Sequence, residues 1–300
     1  MYRANIVESD DGCEDSLSET LLFDGYREDF ARLRQYLAFP SSENWTSILQ
    51  LLFYSWPSDS VEFAVDYASQ HLESWSDSLR LLPPLVWDFV SAPEEFPPCY
   101  RLARALRLDC ESQLDMLKVL LGPTFGVVLK YLDLSEVFSG SWCTKDLSVL
   151  EMAKELTYLN LESNYLNAQE VEYIGNIAAL SELDTLILDD NDVGNYGCEG
   201  LASSRYLTNL ETLRLCSNDI GNEGLKAIAK SESIGHVKIL DVGDNPIGFD
   251  GFNAVALSPT LKRLERLSVT PEQRFAPWFE NVLKVLEERH IRVDLRESSF

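Results

Sequence analysis

Leucine recurs in the second half of the chain in one figure, L-x-x-L-x-L-x-x-N. Leu183, Leu186, Leu188 and Asn191 carry one copy, and Leu156, Leu159, Leu161 and Asn164 carry the copy before it. Leu210, Leu213, Leu215 and Asn218 follow, then Val237, Leu240, Val242 and Asn245. The four asparagines are spaced 27 residues apart. Alternate side chains of an extended strand point to opposite faces, so the last two apolar positions of each copy share one buried face. The asparagine falls where the chain turns away. A fixed period of this size predicts a solenoid, in which each unit buries its apolar face against its neighbours.

The period runs beyond the asparagines. Leu106 and Leu108 lie 26 residues before Leu132 and Leu134, which lie 27 before Leu159 and Leu161. Glu111 and Val137 take the asparagine position in these two copies. After Asn245, Leu264, Leu267 and Val269 keep the step with Glu272 in the asparagine position, and Val293 and Leu295 give an edge strand. The expectation is about eight parallel strands, the outer ones irregular because they cap the array. Each gap between strands has room for a helix. Lys226–Ala229 and Ala254–Ala256 supply apolar helical faces, and glycines such as Gly221 and Gly248 let the chain turn towards them.

The first hundred residues follow another pattern. Phe30, Leu33, Tyr36 and Leu37 recur at helical spacing, as do Trp45, Ile48, Leu49, Leu52 and Phe53, with Ser42 as the expected cap. Phe63, Ala64, Tyr67, Ala68 and Leu72 mark a third helix, and Pro83-Pro84 opens a shorter one. Residues 1–19 are acidic and poor in large apolar groups, which predicts a flexible tail. The proline cluster Pro93, Pro97 and Pro98 sets the expected boundary at residue 97. The fold class is therefore α/β: a solenoid over 98–300 preceded by a small all-helical domain over 20–97.

The stretch Leu210–Gly224, L-x-x-L-x-L-x-x-N-x-I-G-x-x-G, closely resembles the ribonuclease-inhibitor-like subfamily of leucine-rich repeats. The resemblance covers roughly residues 100–295. It implies a horseshoe with its parallel sheet on the concave face and its helices outside. It also implies protein binding as the usual activity, with regulation of a small GTPase as the alternative. The stretch Trp75–Arg80, with Pro83 and Trp87, resembles the helical leader of uncharacterised bacterial repeat proteins. Cys13-Glu14-Asp15 matches the C-x-D triplet of bacterial leucine-rich ubiquitin ligases. Those enzymes carry it after their repeats, whereas here it stands before them, so a ligase is the less favoured reading.

The resemblance directs attention to the side chains between the strand leucines. Tyr131, Asp133, Tyr158, Asn160, Glu162, Ile187, Asp189, Arg214 and Asp241 are the expected partner-binding residues. Asp109, Glu136, Asp190 and Asp244 extend an acidic floor, and Arg266, Arg292 and Arg296 make its far end basic. Tyr131 and Tyr158 fall side by side, ~5 Å apart by strand spacing. Aromatic residues in an acidic surface suit a basic segment of a protein partner.

Charge narrows the function classes. The formal net charge is −24, and the first hundred residues alone hold 18 acids against 5 bases. Such a chain repels nucleic acid and anionic lipid. No stretch reaches the ~20 apolar residues of a membrane span, and the N-terminus lacks a secretory pattern, so a cytoplasmic monomer is expected. The six cysteines form no C-x-x-C pair and read as free thiols. Three histidines, no phosphate loop and no nucleophile–base set argue against an enzyme. No cofactor or metal is expected, and Asp189-Asp190 reads as solvated acids rather than a calcium site.

Overall fold

Ser41, not the expected Ser42, fixes the start of the second helix. In the computed structural model its Oγ accepts the Asn44 N–H at 3.1 Å, while Ser42 is already the first helical residue. The structure describes residues 27–56, 60–82, 97–123, 125–137 and 144–296. The acidic tail, Cys13, and the Pro83 and Trp87 positions lie outside them. The described residues divide into two compact units, one up to Trp75 and one from Ser76 onward.

Among the described residues the first unit holds three helices, α1 (Arg27–Leu37), α2 (Ser42–Tyr54) and α3 (Val61–His71). Their apolar stripes converge on Phe30, which meets Trp56, Phe63 and Tyr67 edge-on at centroid distances of 5.1, 5.9 and 5.7 Å. Edge-to-face contacts of this kind add to the burial of the rings themselves. Trp75 is also buried and donates its indole N–H to the Leu37 carbonyl. Phe53 and Tyr54 are exposed.

The second unit is one parallel sheet of eight strands in sequence order. They are β1 (Ala105–Arg107), β2 (Tyr131–Asp133), β3 (Tyr158–Asn160), β4 (Thr185–Ile187), β5 (Thr212–Arg214), β6 (Ile239–Asp241), β7 (Arg266–Val269) and β8 (Arg292–Leu295). The helices between them are α4 (Leu114–Leu121), α5 (Thr144–Leu147), α6 (Ala168–Gly175), α7 (Gly194–Ala202), α8 (Asn222–Lys230), α9 (Phe249–Ala256), α10 (Pro271–Arg274) and α11 (Phe279–Glu288). Helix α6 packs on α7, α7 on α8 and α8 on α9. Leu106, Leu132, Leu159, Leu186, Leu213, Leu240 and Leu267 stand in register across the sheet and are fully buried. Burial of each contributes ~1.5–3 kcal/mol.

Ahead of β1, Ser76–Leu82 belongs to this second unit. Leu81 bridges Ala105 in parallel, and the buried Arg80 donates its Nε–H to the Leu102 carbonyl at 2.8 Å. Burial, with Arg104 nearby, pulls Arg80 down to about 10.

The asparagines lock successive repeats. Asn191 Oδ1 accepts the N–H groups of Asn164 and Leu166, while its Nδ2 donates to Leu161, Leu188 and Asp189 carbonyls. Asn245 repeats the pattern two periods on, accepting from Asn218 and Ile220 and donating to the Leu215 carbonyl. The residue just before each asparagine, Ser163, Asp190, Ser217 or Asp244, turns the strand end with φ between 51 and 58°. At the seventh strand the expected Glu272 is exposed. Gln273 does the work instead, donating to the Asn245 carbonyl at 2.6 Å. A second row adds to the lock: Asn195 Oδ1 accepts from Gly221 and Gly224, and Asn222 Oδ1 accepts from Gly248 and Gly251. A side chain at Gly224 would stand 2.8 Å from Asn195 Oδ1 and 3.1 Å from its Cα, so glycine is required there.

Candidate functional site

Strand alternation turns a second set of side chains away from the leucine core, and the strand register sorts them into rows. The first row runs Tyr131, Tyr158, Thr185, Thr212, Ile239, Arg266 and Arg292. The second runs Asp133, Asn160, Ile187, Arg214, Asp241, Ser268 and Asp294. Two residues past the second row come Ser135, Glu162, Asp189, Cys216, Gly243 and Thr270. All nine sequence-derived residues lie in these rows.

Tyr131 and Tyr158 stack face to face, with centroids 3.9 Å apart and planes 7° from parallel. The rings are closer than the strand spacing, and the register neighbours that flank them are small, Ala105 on one side and Thr185 on the other. Burial, with the Tyr131 hydrogen bond second, pushes the Tyr158 hydroxyl well above its ordinary value.

Part of the acidic floor is solvated, with Asp109, Glu136 and Asp190 exposed, but its inner acids are not. Asp133, Asp189 and Asp241 are buried, as are Asn160 and Ile187. Asp133 Oδ1, Asn160 Oδ1 and Asp241 Oδ1 each accept the backbone N–H two residues on, at 3.0, 3.0 and 3.1 Å. Asp189 has no exposed surface; its Oδ1 accepts the Cys216 N–H at 2.8 Å. Its Oδ2 takes Arg214 Nη2 and both Nη atoms of Arg296. Arg296 Nη1 also reaches Asp241 Oδ2 at 2.5 Å. The centre of the face is thus a neutral cluster of two aspartates and two arginines. Burial pushes the Asp189 carboxyl up, against the pull of both guanidiniums and the Cys216 N–H. Burial also opposes the Arg296 charge, but Asp189 and Asp241 outweigh it and hold that guanidinium protonated.

Sequence reasoning placed Arg296 at the basic far end of the face, whereas its guanidinium lies at the centre, on Asp189 and Asp241. Arg296 stands 107 positions from Asp189 and four strands away in the register, yet its guanidinium reaches the Asp189 carboxylate. The one signal in the chain was Gly243, the sole position in its row without a side chain. A Cβ there would stand 3.3 Å from Arg296 Cδ.

Glu162 stands half-buried beside the cluster. Burial pushes its carboxyl up, and Asp189 adds to the shift. The folded chain therefore holds this proton more tightly than the unfolded chain. The resulting cost is absent below the unfolded value, about 4.3, and is present at neutral pH. Glu162→Gln is expected to raise stability in urea unfolding by roughly 0.5 kcal/mol near pH 7, a figure kept small because the half-exposed group is screened by solvent, and by nothing below about pH 4. A loss at pH 7 would contradict the assigned direction.

Among the described residues no helix is long and apolar enough to cross a membrane. No group of three or more acidic, histidine or cysteine side chains among them is arranged to hold a metal ion.

A family model described as "Leucine Rich repeat" matches residues 206–229, which take in β5 and all but the last residue of α8. No curated protein resembles the chain closely enough to count as a match. Among solved structures, the chain is similar to an internalin (inlF) from Listeria monocytogenes str. 4b F2365, at 16% identity and a TM-score of 0.27, over 67% of this chain and 70% of that one. It is also similar to the protein of a TLR13–ssRNA13 complex, at 16% identity and a TM-score of 0.28, over 65% of this chain and 36% of that one. With one repeat matched by the family model and eight parallel strands held in a single register, the chain has the fold of a leucine-rich repeat solenoid.

Proposed function

We propose that the repeat array is a non-enzymatic interaction module of the ribonuclease-inhibitor-like type, binding a protein partner on its concave face through the Tyr131–Tyr158 stack. The observation that carries this is the stack itself. Two large rings stand half-buried above an open sheet face, flanked by small residues, where a partner side chain can lie against them. Tyrosines in such settings dominate interface energetics. Glu162, half-buried on the same face, favours a basic partner segment, whose approach it would steer. In this account the chain works as a cytoplasmic monomer that takes neither nucleic acid nor a membrane. Regulation of a small GTPase has no separate observation in its favour.

The test compares captured proteins by quantitative mass spectrometry for the wild type, a Tyr131→Ala/Tyr158→Ala variant and a Tyr196→Ala variant. Tyr196 is 79% exposed on α7, away from the face. The double variant is expected to lose its specific partner by about tenfold or more, while Tyr196→Ala keeps it. Equal capture by all three would overturn the proposal.

A further inference from the structure

The bonds around Arg296 describe more than an ion pair. Asp189 and Asp241 each give one oxygen to a backbone N–H, of Cys216 and Gly243 respectively, so both carboxylates are locked in orientation. Their remaining oxygens converge. Arg296 Nη1 lies 3.1 Å from Asp189 Oδ2 and 2.5 Å from Asp241 Oδ2, and Nη2 adds a third contact of 3.1 Å to Asp189 Oδ2. The arrangement matches the flat fork of a guanidinium, which a compact ammonium cannot span in the same way.

We propose that Asp189 and Asp241 form an arginine seat in the concave face, held here by the chain's own Arg296, and that a partner enters it with an arginine that displaces Arg296. The inference rests on the concave-face reading for the partner, but the seat itself does not. Three features favour exchange. Arg296 lies beyond the last strand, and its side chain crosses the bare Gly243 position, so it can swing out without moving a core residue. Arg214 stays on Asp189 when Arg296 leaves, so the vacated seat carries one net negative charge rather than two. Arg296 keeps its backbone N–H bond to Val269 whether or not its guanidinium is seated. A partner arginine would reproduce the lost contacts, with the Tyr131–Tyr158 stack available to the rest of its segment.

The probe is acetyl-arginine amide, with acetyl-lysine amide as control, titrated by NMR into the full chain. Arg296→Ala is expected to bind the arginine amide at least about tenfold more tightly than the wild type does, and about tenfold more tightly than it binds the lysine amide. Adding Asp241→Asn should remove the gain. Circular dichroism checks the fold, and Arg296→Gln, which keeps much of the stem, replaces the alanine variant should that one unfold. Equal binding by wild type and variant, or equal binding of the two amides, overturns the seat. If the seat binds arginine amide but the tyrosine variants retain every partner, the seat stands and the partner assignment falls.

Discussion

Asn191→Ala is expected to cost roughly 3–5 kcal/mol in urea unfolding, far more than an average polar substitution. The side chain is buried and makes five hydrogen bonds, accepting two backbone N–H groups and donating to three carbonyls. Alanine fills part of the space and satisfies none of those groups. Each buried partner left unpaired costs about 1–3 kcal/mol, and part of the total is recovered as the turn relaxes. Asn191→Asp should do no better. It keeps the acceptor but turns the donor into a second oxygen facing three carbonyls. An exposed control, Asn209→Ala, loses a single bond to the Ser181 carbonyl and should cost at most about 1 kcal/mol. A cost below about 1 kcal/mol for Asn191→Ala would show that the asparagine row does not hold the array together. The effect should spread, because a repeat array is stabilised through its neighbour interfaces and Asn191 joins its own repeat to the one before it.

The same residues explain why the architecture was legible and the site was not. A leucine that must be buried every 27 residues is a local demand, met by residue type and spacing alone. The 26-residue first and last steps also reappear in the strand register, at Ala105 to Tyr131 and at Arg266 to Arg292. The left-handed turn at Asp190 and Asp244 carries no such signature, since neither residue is glycine; the following asparagine fixes it. On the open face, sequence spacing placed Tyr131 beside Tyr158 but could not say that the rings stack. Nor could it tell a solvated aspartate from one turned back onto a backbone N–H. Asp133 Oδ1 is turned back onto the Ser135 N–H, and Asp241 gives only one oxygen to its own turn and the other to Arg296. Gln273 in place of Glu272 is a one-residue shift that only the geometry of α10 decides.

Asp189→Ala is expected to cost about 2–4 kcal/mol, because breaking a buried pair strands the charges that remain. Its carboxylate is the shared acceptor for the Cys216 N–H, Arg214 and Arg296. The full penalty for an uncompensated buried charge is not reached. Arg214 and Arg296 side chains are 33% and 20% exposed and can turn towards water, and Arg296 keeps Asp241. Asp241→Ala should cost less, since Asp241 holds one guanidinium and lies nearer solvent. Asp189→Asn separates the two roles: it can still accept the Cys216 N–H, so any loss it shares with alanine belongs to the charges. A double-mutant cycle between Asp189 and Arg296 should return a coupling of about 1–2 kcal/mol. A coupling near zero would mean that Arg296 merely rests on the face. The size of that coupling also bounds exchange. A partner arginine must recover at least as much from the seat as Arg296 gives up, so a firm internal latch selects for partners that add contacts at the tyrosine stack.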